Sequence, residues 1–279
     1  MILVTGVNGQ LGHDVVKVLN ERNIECLGIG RKELDITDAE AVNKYITKLK
    51  PDCVVHCAAY TAVDKAEDDI EACTKVNVYG TENIAKACKD VDAKMIYIST
   101  DYVFDGCGDE PFEINGEINP HSVYGKTKYE GELKVKKYLE KYFIVRISWV
   151  FGVNGNNFVK TMIRLGKEKE NLNVVCDQIG SPTYTADLAP ILCDMAISNK
   201  YGIYHATNEG YCSWAEFAQE IMNQYGLKCK INPIPTSEYP TKATRPFNSR
   251  MSKQSLNNNG FSLLPNWKDS LKKYLEEIK

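Results

Sequence analysis

The chain has 279 residues, of which 43% are hydrophobic and 25% charged, and its formal net charge at pH 7 is -3. These values are typical of a globular protein with one large domain or a core domain with a smaller partner, and they exclude collagen-like, disordered and coiled-coil chains. The small acidic excess lacks the basic patch that nucleic acids or anionic membranes require, so neither is predicted as a partner. No apolar run reaches the roughly 18 residues needed to span a bilayer.

Short apolar runs alternate with helical patterns through the first half of the chain. We predict strands at 1–5, 26–29, 53–57, 95–99 and 143–148, separated by helices that include 14–22 and 39–50. Strands that are apolar on both faces belong to a sheet covered by helices on both sides. The order therefore predicts an α/β fold with a doubly wound parallel sheet of the Rossmann type, whose ligand crevice lies at the carboxyl ends of the strands.

The second half has a different character. A Gly- and Asn-rich stretch follows at 152–157, and four prolines at 233, 235, 240 and 246 divide the later chain into short pieces. A predicted helix at 184–197 and strand at 202–206 return the chain to the sheet. We therefore predict interleaved regions: a core domain of 1–148 plus about 183–206, and a smaller region of about 149–182 and 207–279.

A glycine-rich turn follows the first predicted strand and leads into a helix. Gly6 permits a tight turn, Gly9 lets the backbone approach a pyrophosphate, and Gly12 permits close packing of helix on strand. The amino-terminal end of the helix attracts anions. The G-x-x-G-x-x-G spacing resembles the fingerprint of extended short-chain dehydrogenase/reductases, so we predict a dinucleotide site that also includes Asn8, Gln10 and Leu11.

The residues after the second predicted strand indicate which dinucleotide is bound. An acidic residue there suits the ribose 2′-hydroxyl of NAD, whereas a cation suits the 2′-phosphate of NADP. The sequence reads Gly30-Arg31-Lys32. We therefore predict NADPH, with Arg31 as the phosphate contact and NADH as the alternative cofactor.

A candidate proton-transfer group occupies a strongly helical stretch. Tyr124 and Lys128 are four residues apart, so they share one face of the helix. We expect the ammonium to lower the pKa of the phenol, which would make Tyr124 a general acid. Ser99 and Thr100 lie at the end of the fourth predicted strand, where a hydroxyl would stabilise developing negative charge on a carbonyl oxygen.

The ten cysteines are scattered from Cys26 to Cys229 without a C-x-x-C pair or the companion histidines of a zinc site. We interpret them as reduced, mostly packed thiols. Cys53 and Cys57 would share one buried strand face as small hydrophobic residues. No metal site is predicted, and the chain begins directly with a strand pattern, which favours a cytoplasmic location.

Several long strings in one order resemble the dTDP-4-dehydrorhamnose reductase family, which belongs to the extended short-chain dehydrogenase/reductases. The strings span nearly the whole chain and are 56–67, 99–106, 123–132, 146–152, 177–185 and 202–210. One departure is His56, where the family often has Asn. The resemblance implies that NAD(P)H reduces the C4 ketone of dTDP-4-dehydro-L-rhamnose to give dTDP-L-rhamnose for cell-surface polysaccharides.

The resemblance also implies roles for individual residues. The catalytic set is Thr100, Tyr124 and Lys128, with Lys128 also binding the nicotinamide ribose. Further cofactor contacts are Asp35, which faces the adenine, and Ile36, Ala58, Ala59 and Tyr60. The implied substrate contacts are Thr61, Val63, Thr100, Asp101, Tyr102, Trp149 and Arg245.

Other assignments stay open at several positions. Asp35 or Asp38 would serve as a helix cap, Ser99 would support the strand end, and Asn77 would order the site or mark a helix kink. Arg250 competes with Arg245 for the substrate diphosphate. Kinship implies a homodimer. Some relatives hold a divalent ion between subunits, but we find no carboxylate cluster that would hold Mg²⁺ here.

Two other functions are weighed against the reductase. Nucleotide-sugar dehydratases and epimerases share the glycine turn and the Thr, Tyr and Lys residues, but dehydratases follow the Thr with Asp-Glu, whereas this chain has Asp101-Tyr102. A non-catalytic, cofactor-binding regulatory subunit would have no need of the three proton-transfer residues.

Overall fold

A six-stranded sheet forms the centre of the protein, which we describe from a computed structural model covering residues 1–279. All of its neighbouring strands run parallel, in the order β10-β5-β4-β3-β1-β2. The doubly wound Rossmann-type sheet predicted from the sequence is confirmed. In chain order the strands are β1 (Ile2–Thr5), β2 (Cys26–Ile29), β3 (Cys53–His56), β4 (Lys94–Thr100), β5 (Tyr142–Ile147), β6 (Val150–Phe151), β7 (Asn171–Val175), β8 (Ile179–Gly180), β9 (Thr183–Tyr184), β10 (Gly202–His205), β11 (Cys212–Ser213), β12 (Lys230–Ile234) and β13 (Asn248–Ser249).

Helices cover both faces of this sheet, and each face has its own apolar cluster. Residues of α1 and α8 pack against one face, and residues of α2 and α5 pack against the other together with α6. None of the helices has the length and apolarity needed to cross a bilayer. The helices are α1 (Gln10–Glu21), α2 (Ala39–Leu49), α3 (Val63–Ala66), α4 (Ile70–Thr74), α5 (Thr81–Asp90), α6 (Val123–Tyr138), α7 (Phe158–Glu168), α8 (Thr185–Ile197), α9 (Trp214–Tyr225), α10 (Gln254–Asn258) and α11 (Trp267–Ile278).

A third apolar cluster lies outside the central sheet. It joins α7, α9 and α11 with β7 and β12, which pair in parallel. We call residues 149–182 and 207–279 the outer region. Strand β10 joins the central sheet beside β5, so the chain enters the outer region after β5, returns to the sheet for α8 and β10, and then leaves again. The division into 1–148 plus about 183–206 and 149–182 plus 207–279 stays a prediction, which the separate apolar clusters support.

Two boundaries predicted from the sequence are wrong. Helix α1 begins at Gln10 rather than at 14, because Gly9 is extended (φ -86°, ψ 179°) and the chain becomes helical directly after it. Cys57 lies beyond the end of β3 and is half-buried, so it does not share a buried strand face with Cys53. The helix thus begins four residues earlier than predicted, and the strand ends one residue earlier.

A fully buried ion pair joins α6 to the sheet. The carboxylate of Glu132 accepts hydrogen bonds from Arg146 Nε at 2.9 Å and Nη2 at 2.8 Å, and from Ser99 Oγ at 2.6 Å. The side chains of Arg146 and Glu132 are 1% and 0% exposed. Ser99 lies on β4 and Arg146 on β5, so this one carboxylate holds the helix against two neighbouring strands.

Removing the Glu132 carboxylate leaves the Arg146 guanidinium buried without its partner. We expect Glu132→Ala to lower the free energy of unfolding by about 3–5 kcal/mol. The exposed pair of Lys141 with Asp92 provides the control, and Lys141→Ala is expected to cost about 0–1 kcal/mol. Urea denaturation of both variants measures the difference, and similar losses would contradict a structural role for the buried pair.

Candidate active site

A cavity of about 820 Å³ opens at the carboxyl ends of the parallel strands. It contains every residue predicted from the sequence to bind cofactor or substrate except Arg245. Its lining includes Gly6, Asn8, Gly9, Gln10, Leu11, Gly12, Arg31, Asp35, Ile36, Ala58, Ala59, Tyr60, Thr61, Val63, Thr100, Asp101, Tyr102, Tyr124, Lys128 and Trp149. Residues from five strand ends and α6 therefore meet at one place.

The glycine turn between β1 and α1 leaves no space for larger side chains. Gly6 has a φ of +74°, and a Cβ there would lie 2.7 Å from the backbone nitrogen of Ala58. A Cβ on Gly12 would lie 2.6 Å from the carbonyl oxygen of Gly6. Gly9 caps α1 without a side-chain hydrogen bond. The N–H groups of the first helical turn therefore face the cavity without competition from a side chain, which fits a pyrophosphate.

The residues after β2 form the part of the cavity predicted to bind the adenosine. Arg31 is 86% exposed and lies 3.6 Å from the Asp35 carboxylate. Asp35 accepts hydrogen bonds from the backbone nitrogen and hydroxyl of Thr37, and these bonds lower its pKa. Asp38 is the residue that caps α2. Arg31 therefore places an exposed cation at the edge of the cavity, loosely paired with Asp35, while Asp35 shapes the turn.

The loop after β3 is held by buried polar groups beneath it. Asn77 lies in a π-helical turn and bonds both backbone groups of Tyr60, accepting from its N at 2.8 Å and donating to its O at 3.1 Å. The Thr5 hydroxyl accepts from Ala58 N at 3.2 Å and lies 2.8 Å from His56 Nδ1. Burial lowers the pKa of His56 to about 3, so the ring is neutral. These contacts fix the backbone of residues 58–60.

Thr100, at the end of β4, belongs to a buried chain of hydroxyl and carboxyl groups. It donates to Asp101 Oδ1 at 2.9 Å, and Ser249 donates to Asp101 Oδ2 at 2.5 Å. Burial raises the pKa of Asp101 to about 6, against the opposing effect of these two hydrogen bonds. Ser99, one residue earlier, points to Glu132 instead. The hydroxyl at position 100 is thus the one presented to the cavity with an acidic neighbour.

The expected lowering of the Tyr124 pKa by Lys128 is wrong for the protein by itself. Burial raises the pKa of Tyr124 well above its usual value, and the nearby Asp101 raises it further. Burial lowers the pKa of Lys128 to about 7. Its ammonium lies 4.1 Å from the centre of the Tyr97 ring, a cation–π contact. Both groups line the cavity, but desolvation has a larger effect on each than the attraction of the ammonium for a phenolate.

A second cavity of about 660 Å³ adjoins the first and shares Tyr102 and Trp149 with it. Trp149 has a positive φ of 50°, a conformation uncommon for a large residue and often associated with functional sites. Its ring stacks on Trp214 with centroids 3.7 Å apart. The two rings form an apolar wall with the size and flatness expected of a surface for a base or sugar.

Arg245 lines this second cavity, and Arg250 does not. Arg245 Nη1 donates to the Tyr102 hydroxyl at 2.9 Å, and Nη2 is paired with the Asp64 carboxylate. Arg250 instead bonds Asn248 and lies near the Tyr211 ring. The guanidinium at position 245 is therefore the one available to an anionic group that enters from the cofactor cavity.

Sequence reasoning did not identify Trp214, which lines the second cavity, Ser249, which bonds Asp101, or Asn154, whose side chain donates to two carbonyl oxygens of the glycine turn. Trp214 directly follows a capping box formed by Ser213 and Glu216, which indicates a helix start but says nothing of its partner. Ser249 lies 148 positions from the carboxylate that it contacts. Asn154 was visible only as part of a polar turn, a pattern common to many surface loops.

Comparisons with known proteins identify the family of the chain. The profile described as "RmlD substrate binding domain" matches residues 1–279. A dTDP-4-dehydrorhamnose reductase of Aggregatibacter actinomycetemcomitans is 40% identical, with 97% of each chain covered.

Two crystal structures have nearly the same fold. One is a dTDP-4-dehydrorhamnose reductase of Clostridium acetobutylicum (TM-score 0.97, 45% identity, 99% of each chain covered). The other is a dTDP-4-dehydrorhamnose reductase of Bacillus anthracis in complex with NADP (TM-score 0.96, 43% identity, 99% of this chain and 98% of the other covered). The chain therefore belongs to the RmlD family, together with these dTDP-4-dehydrorhamnose reductases.

Proposed function

We propose that this protein uses NADPH to reduce the C4 ketone of dTDP-4-dehydro-L-rhamnose, giving dTDP-L-rhamnose. The observation that carries the proposal is the meeting of Thr100, Tyr124 and Lys128 in one cavity with an uncapped glycine turn. The relatives named dTDP-4-dehydrorhamnose reductase support the choice of substrate, and the NADP complex of one of them supports the choice of cofactor.

The chemistry requires one hydride at the ketone carbon and one proton at its oxygen. Bound NADPH supplies the hydride. Tyr124 is neutral at physiological pH because its pKa is raised, so its hydroxyl carries the proton that the oxygen takes. The Thr100 hydroxyl donates to Asp101 in this structure, and it would turn from Asp101 to the substrate oxygen to stabilise the negative charge that develops there. Lys128 holds the cofactor ribose with its ammonium, as the resemblance implies.

The second cavity provides the remaining substrate contacts. We assign the stacked pair of Trp149 and Trp214 to the apolar face of the sugar or base, and Arg245 to the diphosphate. Arg245 already contacts Tyr102 and Asp64, so the substrate phosphate would exchange with, or add to, these partners. Thr61 and Val63 line the cofactor cavity near the same opening and complete the proposed sugar contacts.

The residue after Asp101 speaks against a dehydratase. Elimination of water needs a base beside the acid. Burial raises the pKa of Tyr102 to about 12, so its phenol stays protonated and cannot act as that base. Stoichiometric oxidation of NADPH by dTDP-4-dehydrorhamnose is expected from a reductase. Conversion of a nucleotide sugar with no net change in cofactor would identify a dehydratase or an epimerase.

Two further predictions concern the protein as a whole. We predict a homodimer from kinship and a cytoplasmic location, the latter supported by ten cysteines that form no disulfide. Size-exclusion chromatography with light scattering measures the first, and fractionation of the source cells measures the second.

Tyr124→Phe removes the proposed proton donor and leaves the ring in place. We expect turnover to fall roughly 10²- to 10⁴-fold while NADPH affinity is retained. Tyr129→Phe is the matched control, since Tyr129 lies on the same helix and packs in a separate apolar cluster. Unchanged turnover in Tyr124→Phe would contradict the assignment and favour a non-catalytic, cofactor-binding role.

The pH dependence of kcat/KM for NADPH reports the protonation of Lys128 in the free protein. The pKa of Lys128 is about 7, so the ammonium loses its proton as pH rises above this value. Because the charged form is the one proposed to bind the ribose, cofactor binding weakens over the same range. We expect kcat/KM to fall about tenfold per pH unit above roughly pH 7. In Lys128→Met the value should be low and independent of pH over this range. A wild-type profile that stays flat to pH 9 would disprove the role.

Arg31→Ala tests the choice between NADPH and NADH. Loss of a charge-assisted hydrogen bond to the 2′-phosphate should lower kcat/KM for NADPH about tenfold or more, with little effect on NADH. Lys32→Ala is the control, because Lys32 is the neighbouring exposed cation but does not line the cavity. Equal NADPH/NADH ratios in wild type and Arg31→Ala would show that the 2′-phosphate is bound elsewhere.

A further inference from the structure

A short loop from the outer region lies against the glycine turn of the central domain. We call residues 152–157 the strap; it begins directly after β6 and ends at the start of α7. The Asn154 side chain donates from Nδ2 to two carbonyl oxygens of the turn, those of Asn8 at 3.0 Å and Gly9 at 3.1 Å. Asn157 Nδ2 lies 3.0 Å from Gln10 Oε1. The strap therefore contacts three consecutive residues that line the cofactor cavity.

The strap is held in shape by its own region. Lys160 Nζ donates to the carbonyl oxygens of Val153 at 2.6 Å and Gly155 at 2.8 Å. Asn157 caps α7 by accepting from Lys160 N at 3.0 Å, and its amide donates to the Gly152 oxygen at 2.8 Å. Because these bonds are independent of the glycine turn, the strap presents Asn154 to that turn from a fixed frame.

The contact with Gly9 has a consequence for the peptide bond between Gly9 and Gln10. The chain contains no cis peptide bonds, so this C=O and the following N–H point in opposite directions. Holding the Gly9 oxygen towards Asn154 turns the Gln10 N–H the other way. Gln10 is the first residue of α1, and its N–H has no acceptor within the helix. As the N-cap carbonyl, the Gly9 oxygen also accepts the first bond within α1, so the Asn154 amide adds a second restraint on the peptide whose N–H points out of the amino-terminal end of the helix.

We propose that Asn154 is a positioning residue for the pyrophosphate of the cofactor and that the strap slows cofactor release. This inference rests on the proposed function. Asn154 acts through the backbone of the glycine turn, by restricting the orientation of its peptide groups before the cofactor arrives. Since only two residues separate the strap from Trp149, it connects the substrate cavity to the glycine turn.

Asn154→Ala removes both hydrogen bonds to the glycine turn. We expect the Kd of NADPH and its dissociation rate each to rise about tenfold, because two neutral hydrogen bonds that order the loop are lost. Fluorescence titration measures the Kd, and stopped-flow displacement measures the dissociation rate. The control is Asn43→Ala, which loses an exposed hydrogen bond from the Asn43 amide to Asp90.

A second ligand separates positioning of the pyrophosphate from a general structural effect. Adenosine 2′-monophosphate has the 2′-phosphate but no pyrophosphate, so its affinity should be the same in wild type and Asn154→Ala. Asn154→Asp should weaken NADPH binding at least as much as Asn154→Ala, since a carboxylate repels the two carbonyl oxygens and the pyrophosphate. Asn154→Ser replaces the alanine variant if that variant unfolds below the assay temperature.

Two results would overturn the inference. One is unchanged NADPH affinity and release in a folded Asn154 variant, and the other is an equal loss of affinity for NADPH and adenosine 2′-monophosphate. Wild-type protein that binds NADPH but does not oxidise it with dTDP-4-dehydrorhamnose would overturn the proposed function alone, because the binding measurements on the strap need no turnover.

Discussion

The buried carboxylate of Glu132 is the interaction on which the site depends. Glu132 lies one helical turn after Lys128 and two turns after Tyr124, and it bonds Ser99 and Arg146. Those two residues come shortly before Thr100 and Trp149 in the chain. One anchor therefore sets the height of α6 relative to the ends of β4 and β5. Helix α6 also lies very close to β4 at Gly131, because a Cβ at this position would collide with the Tyr97 hydroxyl.

Burial of ionisable groups controls the protonation of the site. A carboxyl, a phenol and an amine line the same cavity, and burial disfavours the charged form of each. The pKa of Asp101 is raised to about 6, that of Tyr124 is raised, and that of Lys128 is lowered to about 7. The negative charge of a bound dinucleotide would favour the ammonium form of Lys128, in the opposite direction to burial.

The outer region completes the site at three places. Ser249 bonds Asp101, Arg245 contacts Tyr102, and Asn154 bonds the glycine turn. Each contact joins the outer region to a different part of the cofactor cavity, namely the proton-transfer group, the substrate opening and the pyrophosphate loop. A change in the position of the outer region would alter all three contacts.

The sequence by itself determined the fold class, the glycine turn, the helix that carries Tyr124 and Lys128, and the family. These features rest on local patterns: apolar strands, glycines where a Cβ would collide, and side chains one helical turn apart. Tertiary structure decided the pKa values, the stacking of Trp149 on Trp214, the choice of Arg245 over Arg250, and the contacts of Ser249 and Asn154. The physical reason is that desolvation and side-chain contact depend on which groups meet in space, and Ser249 and Asp101 are separated by 148 positions in the chain.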